Sequence, residues 1–208
     1  MPLVRKPAST APPSPSTNAD PLTGLRSTNP DERWTAARAA VDVVGAAPAL
    51  GAALRVETDA RVREAIFTSL TRIGGADGAS QLLPLLRSND AALRTGALDA
   101  LRLSVVATRV LLPALLRDPD VDVRILSCEL ARALPSEEAT LQLCSLLTAE
   151  PEVNVCAAAI EVLAEVGSPE ALPAIAQCGQ RFPKAPFLSF AIQVATDRIN
   201  AQTIHHRG

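Results

Sequence analysis

The chain has 208 residues, a formal net charge of −2 and an isoelectric point near 5.7. That balance argues against a general nucleic-acid-binding surface, which needs a basic face. Hydrophobic residues make up 48% of the chain but aromatics only 2%. Ala, Leu and Val must therefore fill the core, which favours closely stacked helices over a sheet sandwich.

Residues 1–26 read as a disordered tail. Pro2, Pro7, Pro12, Pro13, Pro15 and Pro21 alternate with Ser, Thr and Ala, and such a segment buries too little apolar surface to offset its ordering entropy. It lacks the apolar stretch of a secretory signal. No window reaches the roughly 18 apolar residues of a membrane span. The expectation is a soluble cytoplasmic protein with no membrane contact.

From residue 27 to 202 a repeat takes over, with a short C-terminal tail at 203–208. Five segments align: NPDERWTAARAAVDVVG, ETDARVREAIFTSLTRIGG, SNDAALRTGALDALRLS, DPDVDVRILSCELARAL and AEPEVNVCAAAIEVLAEVG. A degenerate sixth is FPKAPFLSFAIQVATDRI. Arg63, Arg94 and Arg124 share one slot, with Trp34 before them and Cys156 and Leu188 after. With Val62 as position zero, apolar or small residues fall at 0, +3, +4, +7, +8 and +11. This spacing makes one continuous stripe on a helix; these are the B helices. Asp59, Asp90 and Asp120, three residues before position zero, are placed to cap them, and Glu152 holds the same place in repeat five.

Shorter apolar stretches between the B segments form the A helices. Pro84, Pro113 and Pro173 read as interior prolines that bend them. Gly74-Gly75, Asp118-Pro119 and Gly167-Ser168-Pro169 mark turns.

The motif D-x-x-V-R-x-x-A, read best as Asp59-Ala60-Arg61-Val62-Arg63-Glu64-Ala65 and nearly as well as Asp120-Val121-Asp122-Val123-Arg124, resembles that of the HEAT repeat superfamily, in its short bacterial bilin-lyase-like form. The resemblance covers about residues 29–200. It implies an all-α fold: a right-handed α-solenoid of about six stacked helical hairpins, with the B helices lining the concave face. It further implies a structural ladder of Asp59, Arg63, Asp90, Arg94, Asp120 and Arg124 along the inside of the stack. That ladder is complete only in repeats two to four and lost at Cys156 and Leu188. A hairpin cannot bury its stripe alone, so neighbours cover it and the ends need caps. Trp34 and the Phe182, Phe187, Phe190 group are assigned to those ends.

Catalysis needs convergent groups of suitable type. Both histidines, His205 and His206, lie at the C-terminus, and no His-Glu pair or metal-spaced Cys/His cluster occurs. Phosphate-binding glycine loops are absent from the sequence. Cys128, Cys144, Cys156 and Cys178 read as buried thiols of a reducing compartment, with Cys128 and Cys156 the pair placed to approach. No catalytic residue, metal or cofactor is expected.

Positions +2, +6 and +9 lie opposite the buried stripe. They make a candidate partner-binding groove of Glu64, Thr68, Thr95, Asp99, Arg102, Ile125, Glu129, Arg132 and Glu161, extended by Thr71, Ala157, Ala164, Ser189, Gln193 and Thr196. Asp99–Arg102 and Glu129–Arg132 are i,i+3 pairs worth tenths of a kcal/mol. The expected function is a non-catalytic scaffold or adaptor, monomeric alone, that binds a protein partner and no nucleic acid. The family resemblance adds a second expectation: a subunit or chaperone of a bilin lyase-type attachment system.

Overall fold

The computed structural model describes residues 20–205, and side chains to residue 202. The expected tail at 1–19 and the last three residues lie outside that range. Twelve α-helices occur among the described residues and no strand. The A helices are α1 (Pro21–Gly24), α3 (Ala47–Val56), α5 (Gly75–Leu82), α7 (Val105–Leu115), α9 (Ser136–Ala149) and α11 (Leu172–Arg181). The B helices are α2 (Pro30–Ala39), α4 (Ala60–Ile73), α6 (Ala91–Leu103), α8 (Val121–Leu130), α10 (Val153–Val166) and α12 (Pro186–His205).

Each A helix packs on the B helix that follows it, and the B helices pack on one another in chain order from α2 to α12. That is a solenoid of six hairpins, the first with a four-residue A helix. The B stripe drives the stacking. Val62, Ile66, Leu70, Val123, Leu130, Val155, Ile160, Val162 and Leu163 are all fully buried. Removing that much apolar surface from water dominates the folding energy, at about 25 cal/mol per Å².

Packing begins earlier than the expected boundary at 26. Asp20 caps α1 by accepting from the Leu22 N–H at 3.1 Å, and Leu25 is buried. At the other end α12 continues to His205, three residues into the expected tail.

The proline expectation holds at one place of three. Pro113 lies inside α7. Pro173 is in the first turn of α11, where its missing N–H costs nothing. Pro84 sits at the start of the 3-10 segment Leu83–Arg87 that follows α5, so there the α-helix has already ended. Gly74 and Gly75 have φ of +64° and +54°, a left-handed turn joining α4 to α5 that side chains rarely tolerate.

Candidate functional site

Side-chain N-caps fix the register of four B helices, α2, α4, α6 and α8. Asp59 accepts from the N–H groups of Arg61 and Val62, Asp90 from Ala92 and Leu93, and Asp120 from Asp122. Glu152 stands at the cap of α10 but makes no side-chain cap bond. In the first repeat the cap is Asn29, which accepts from the Asp31 N–H at 3.0 Å ahead of Pro30.

This moves the first and last repeats by one residue. Four residues after Asn29 is Arg33, not Trp34. Arg33 is therefore the first ladder arginine, 30 residues before Arg63. α12 begins at Pro186, which makes Leu188 its position zero and puts Ser189 in the ladder slot. Leu188 is fully buried, like Val62.

The ladder arginines share one partner type, the backbone carbonyl two residues before the cap. Arg33 Nη1 donates to Ser27 O at 3.0 Å, Arg63 Nε to Glu57 O at 2.7 Å, Arg94 Nη1 to Ser88 O at 2.6 Å and Arg124 Nη1 to Asp118 O at 2.8 Å. The side chain of that same residue accepts from the cap N–H: Ser27 from Asn29, Glu57 from Asp59, Ser88 from Asp90, Asp118 from Asp120 and Glu150 from Glu152.

The rungs also join successive repeats. Arg33 forks onto Glu57 at 2.7 and 2.8 Å, and Arg124 onto Glu150 at 2.9 and 3.0 Å. Both glutamates are buried, at 4% and 3% side-chain exposure. Arg63 reaches Asp90 at 3.0 Å. The Arg33 guanidinium, with help from the Asp59 and Thr58 N–H groups, holds the Glu57 carboxyl down to about 2 against the cost of burial. Such pairs specify geometry more than they add stability, yet losing one partner strands a buried charge. Arg33, Glu57 and Glu150 were missed from sequence. The Asn29-Pro30 cap signal could have found the first.

In repeat five Cys156 takes the arginine slot. Its thiol points at the equivalent carbonyl, with Sγ 3.7 Å from Glu150 O. Arg181, from the end of α11, donates to Glu150 O and Leu147 O. A guanidinium thus returns to the ladder from a different helix. The two thiols expected to pack at the seam, Cys128 and Cys156, are both fully buried. Cys128 Sγ lies 4.0 Å from the Val155 carbonyl oxygen, next in the chain to Cys156, whose own thiol faces Glu150 O.

The expected groove residues lie on the B-helix face. Glu64, Thr68, Thr95, Asp99 and Glu161 are exposed, while Arg102, Ile125, Glu129 and Arg132 are half-buried. Ala164 is buried instead. Arg102 lies 4.0 Å from Asp99. Arg132 donates to Glu129 at 2.8 Å and to Glu165 in the next repeat. The corrected register adds rings to this face. At +2 the column reads Trp34, Glu64, Thr95, Ile125, Ala157, Phe190, and at +6 it reads Arg38, Thr68, Asp99, Glu129, Glu161, Val194. The Arg38 guanidinium stacks on Trp34, 4.5 Å from the ring centre.

The rings therefore do not seal the ends. Trp34 is 36% exposed, Phe187 49% and Phe190 73%; only Phe182 packs against the core. What closes the last repeat is Gln193. It stands at +5, where Ala37, Phe67, Leu98, Cys128 and Ile160 are all buried under the next helix. Gln193 is exposed and donates to Asp197 of its own helix.

Two neighbouring depressions lie on the N-terminal half of the face. One of about 500 Å³ is lined by Trp34, Arg38, Arg61, Glu64, Ala65 and Thr68. The next, about 350 Å³, runs from Glu64 and Thr68 across Phe67 and Gly96 to Asp99 and Leu103. Gly96 keeps the second open, because a Cβ there would meet the Phe67 ring at 2.3 Å. Among the described residues no cluster of metal-binding side chains occurs, and no helix is long and apolar enough to cross a membrane.

The chain belongs to the HEAT repeat family, whose model matches residues 19–102 and 108–184. No curated protein matches the sequence. Several solved structures are similar to this chain at low identity. An engineered protein is 22% identical over 87% of this chain and 95% of its own, with a TM-score of 0.39. A designed armadillo repeat protein in complex with the peptide (KR)4 is 17% identical over 86% and 98%, TM-score 0.41. The complex of CpcE and CpcF of phycocyanin lyase from Nostoc sp. PCC7120 is 17% identical over 94% and 99%, TM-score 0.38.

Proposed function

We propose that this chain is a non-catalytic cytoplasmic scaffold that holds a partner protein along its B-helix face. The observation that carries the reading is the exposed Trp34, stacked with Arg38 beside two adjoining depressions. Trp and Arg are the residue types most enriched at binding hot spots. An exposed ring of this size held at a defined angle serves a contact better than a core. Glu64, shared by both depressions, has an exposed carboxylate with no ion pair among the described residues, available to orient a polar group of the partner. Further along, Thr95, Asp99, Ile125, Glu129 and Glu161 continue the same two columns to Phe190 and Val194.

The test compares Trp34→Ala and the double reversal Glu129→Lys, Glu161→Lys with the parent chain, using partners captured by affinity purification. Trp34→Ala should weaken capture by about tenfold or more, the loss typical of a hot-spot ring, with the melting temperature nearly unchanged. Capture that survives both variants would place the contact elsewhere.

A further inference from the structure

We infer that the cavity between the ends of α7 and α9 is a binding site for a small monocarboxylate with an apolar body. These A helices belong to successive repeats and are joined by the Arg109–Glu138 pair at 2.6 Å. The cavity measures about 570 Å³, within the range of pockets that hold small ligands, about 300–1,000 Å³. None of the groove residues on the B-helix face lines it, so it is separate from the partner-binding surface. Short side chains make the space. The last turns of α9 carry Ser145, Thr148 and Ala149, while α7 ends at Leu115, two residues after its interior Pro113. Pro113, Leu116, Pro119, Leu146 and Pro151 supply apolar walls that fit an aliphatic chain or an aromatic ring.

The charges decide the ligand's polar end. Four charged side chains line the cavity: Arg117, Asp118, Arg124 and Glu150. Three of them are already matched. Glu150 accepts the Arg124 fork and the Glu152 N–H. Arg124 directs its remaining Nη1 to the Asp118 and Pro119 carbonyls. Asp118 pairs with Arg87 and accepts from the Asp120 N–H. Arg117 is exposed and has no ion pair among the described residues. Its Nη1 donates to Pro113 O at 3.1 Å, which anchors the guanidinium at the cavity rim and leaves Nε and Nη2 to face a ligand. One unmatched cation suits one negative charge, and a planar guanidinium meets a carboxylate through two parallel bonds. A phosphate monoester carries about −1.5 to −2 near pH 7, and its surplus charge would face Glu150 and Asp118. The Gln142 amide and the Ser145 hydroxyl, both on α9, are the further polar groups of the wall.

The arrangement recurs at the other Arg–Glu fork. A second cavity of about 570 Å³ includes Arg33 and Glu57, with Arg26 at its edge. Arg26 stands three residues before the Asn29 cap, as Arg117 stands three before Asp120. It too is exposed and has no ion pair among the described residues. Its walls are Ala49, Ala52, Ala53 and Val56, and no amide side chain lines it. The α7–α9 cavity is therefore the better equipped of the two.

The experiment titrates the isotope-labelled full chain with phenylacetate and follows backbone amide shifts by NMR. Saturable shifts are expected within 113–119 and 142–151, the two stretches that line the cavity. Arg117→Gln should weaken this binding by about tenfold or more, the loss typical of a charge-assisted bond. Its melting temperature should stay that of the parent, because Arg117 is exposed. Gln142→Ala should weaken binding by about threefold, and Arg26→Gln should leave it unchanged. Phenylacetamide, the same body without the charge, should bind about tenfold more weakly, and phenyl phosphate more weakly than phenylacetate. If the shifts do not saturate, if they fall only around the Arg26 cavity, if the amide or the phosphate binds as well as the acid, or if Arg117→Gln keeps the parent affinity, the inference is wrong.

Discussion

Repeats four and five meet one structural demand with different chemistry. In repeat four a single residue, Arg124, binds two carbonyls and both oxygens of Glu150, all within one buried fork. In repeat five the same carbonyl position is served by a thiol from α10 and a guanidinium from α11. The first arrangement is rigid because one planar group satisfies everything. The second divides the task between two helices, so the last hairpin is held by contacts that can be changed one at a time.

Substitutions that strip one rung and spare the other sharpen that contrast. Arg124→Ala has the largest expected effect. It leaves Glu150 buried without its counter-ion and should cost about 3–5 kcal/mol in urea unfolding. Arg181→Ala in the fifth rung should cost less, about 1 kcal/mol, since Cys156 still faces Glu150 O and no acid is stranded.

Acid should act on the same fork in the first repeat. The Glu57 carboxyl titrates at about 2 in the folded chain and near its ordinary 4.5 when unfolded. Its contribution is thus complete above pH 4.5 and is lost as pH falls towards 2, a change of up to roughly 3 kcal/mol. Glu57→Gln should flatten that acid limb in a pH series of melting curves while lowering stability at neutral pH.

Overpacking and capping give effects below that of Arg124→Ala. Gly96→Ala drives a Cβ into the Phe67 ring and should cost about 1–3 kcal/mol by thermal unfolding. Asp59→Ala should cost about 1 kcal/mol, whereas Glu152→Ala should cost close to nothing, because Glu152 makes no cap bond. A Glu152→Asp change that gained stability would show that repeat five lacks only the right cap length.

The parts of the fold legible in the sequence were those written locally. Asp59, Asp90 and Asp120 begin helices because a short carboxylate reaches the first N–H groups, and that requires no knowledge of neighbours. The buried stripe is equally local. The register of the end repeats was not, because Arg33 and Trp34 are adjacent and spacings of 30 and 29 residues to Arg63 separate them by one position only. The rungs to Glu57 and Glu150 span 24 and 26 residues between partners, so only the packed stack brings them together. The helical register behind the groove columns matches the caps in repeats two to four and is one residue off in repeat six, where no capping side chain marks α12.

The seam column changes character at Gln193. Each earlier residue in that column is apolar and requires a successor, whereas an amide hydrogen-bonded within its own helix requires none. The sixth repeat thus presents a polar edge where the earlier repeats present a joint. Replacing Gln193 with Leu should turn that edge into a joint, onto which a second molecule can add.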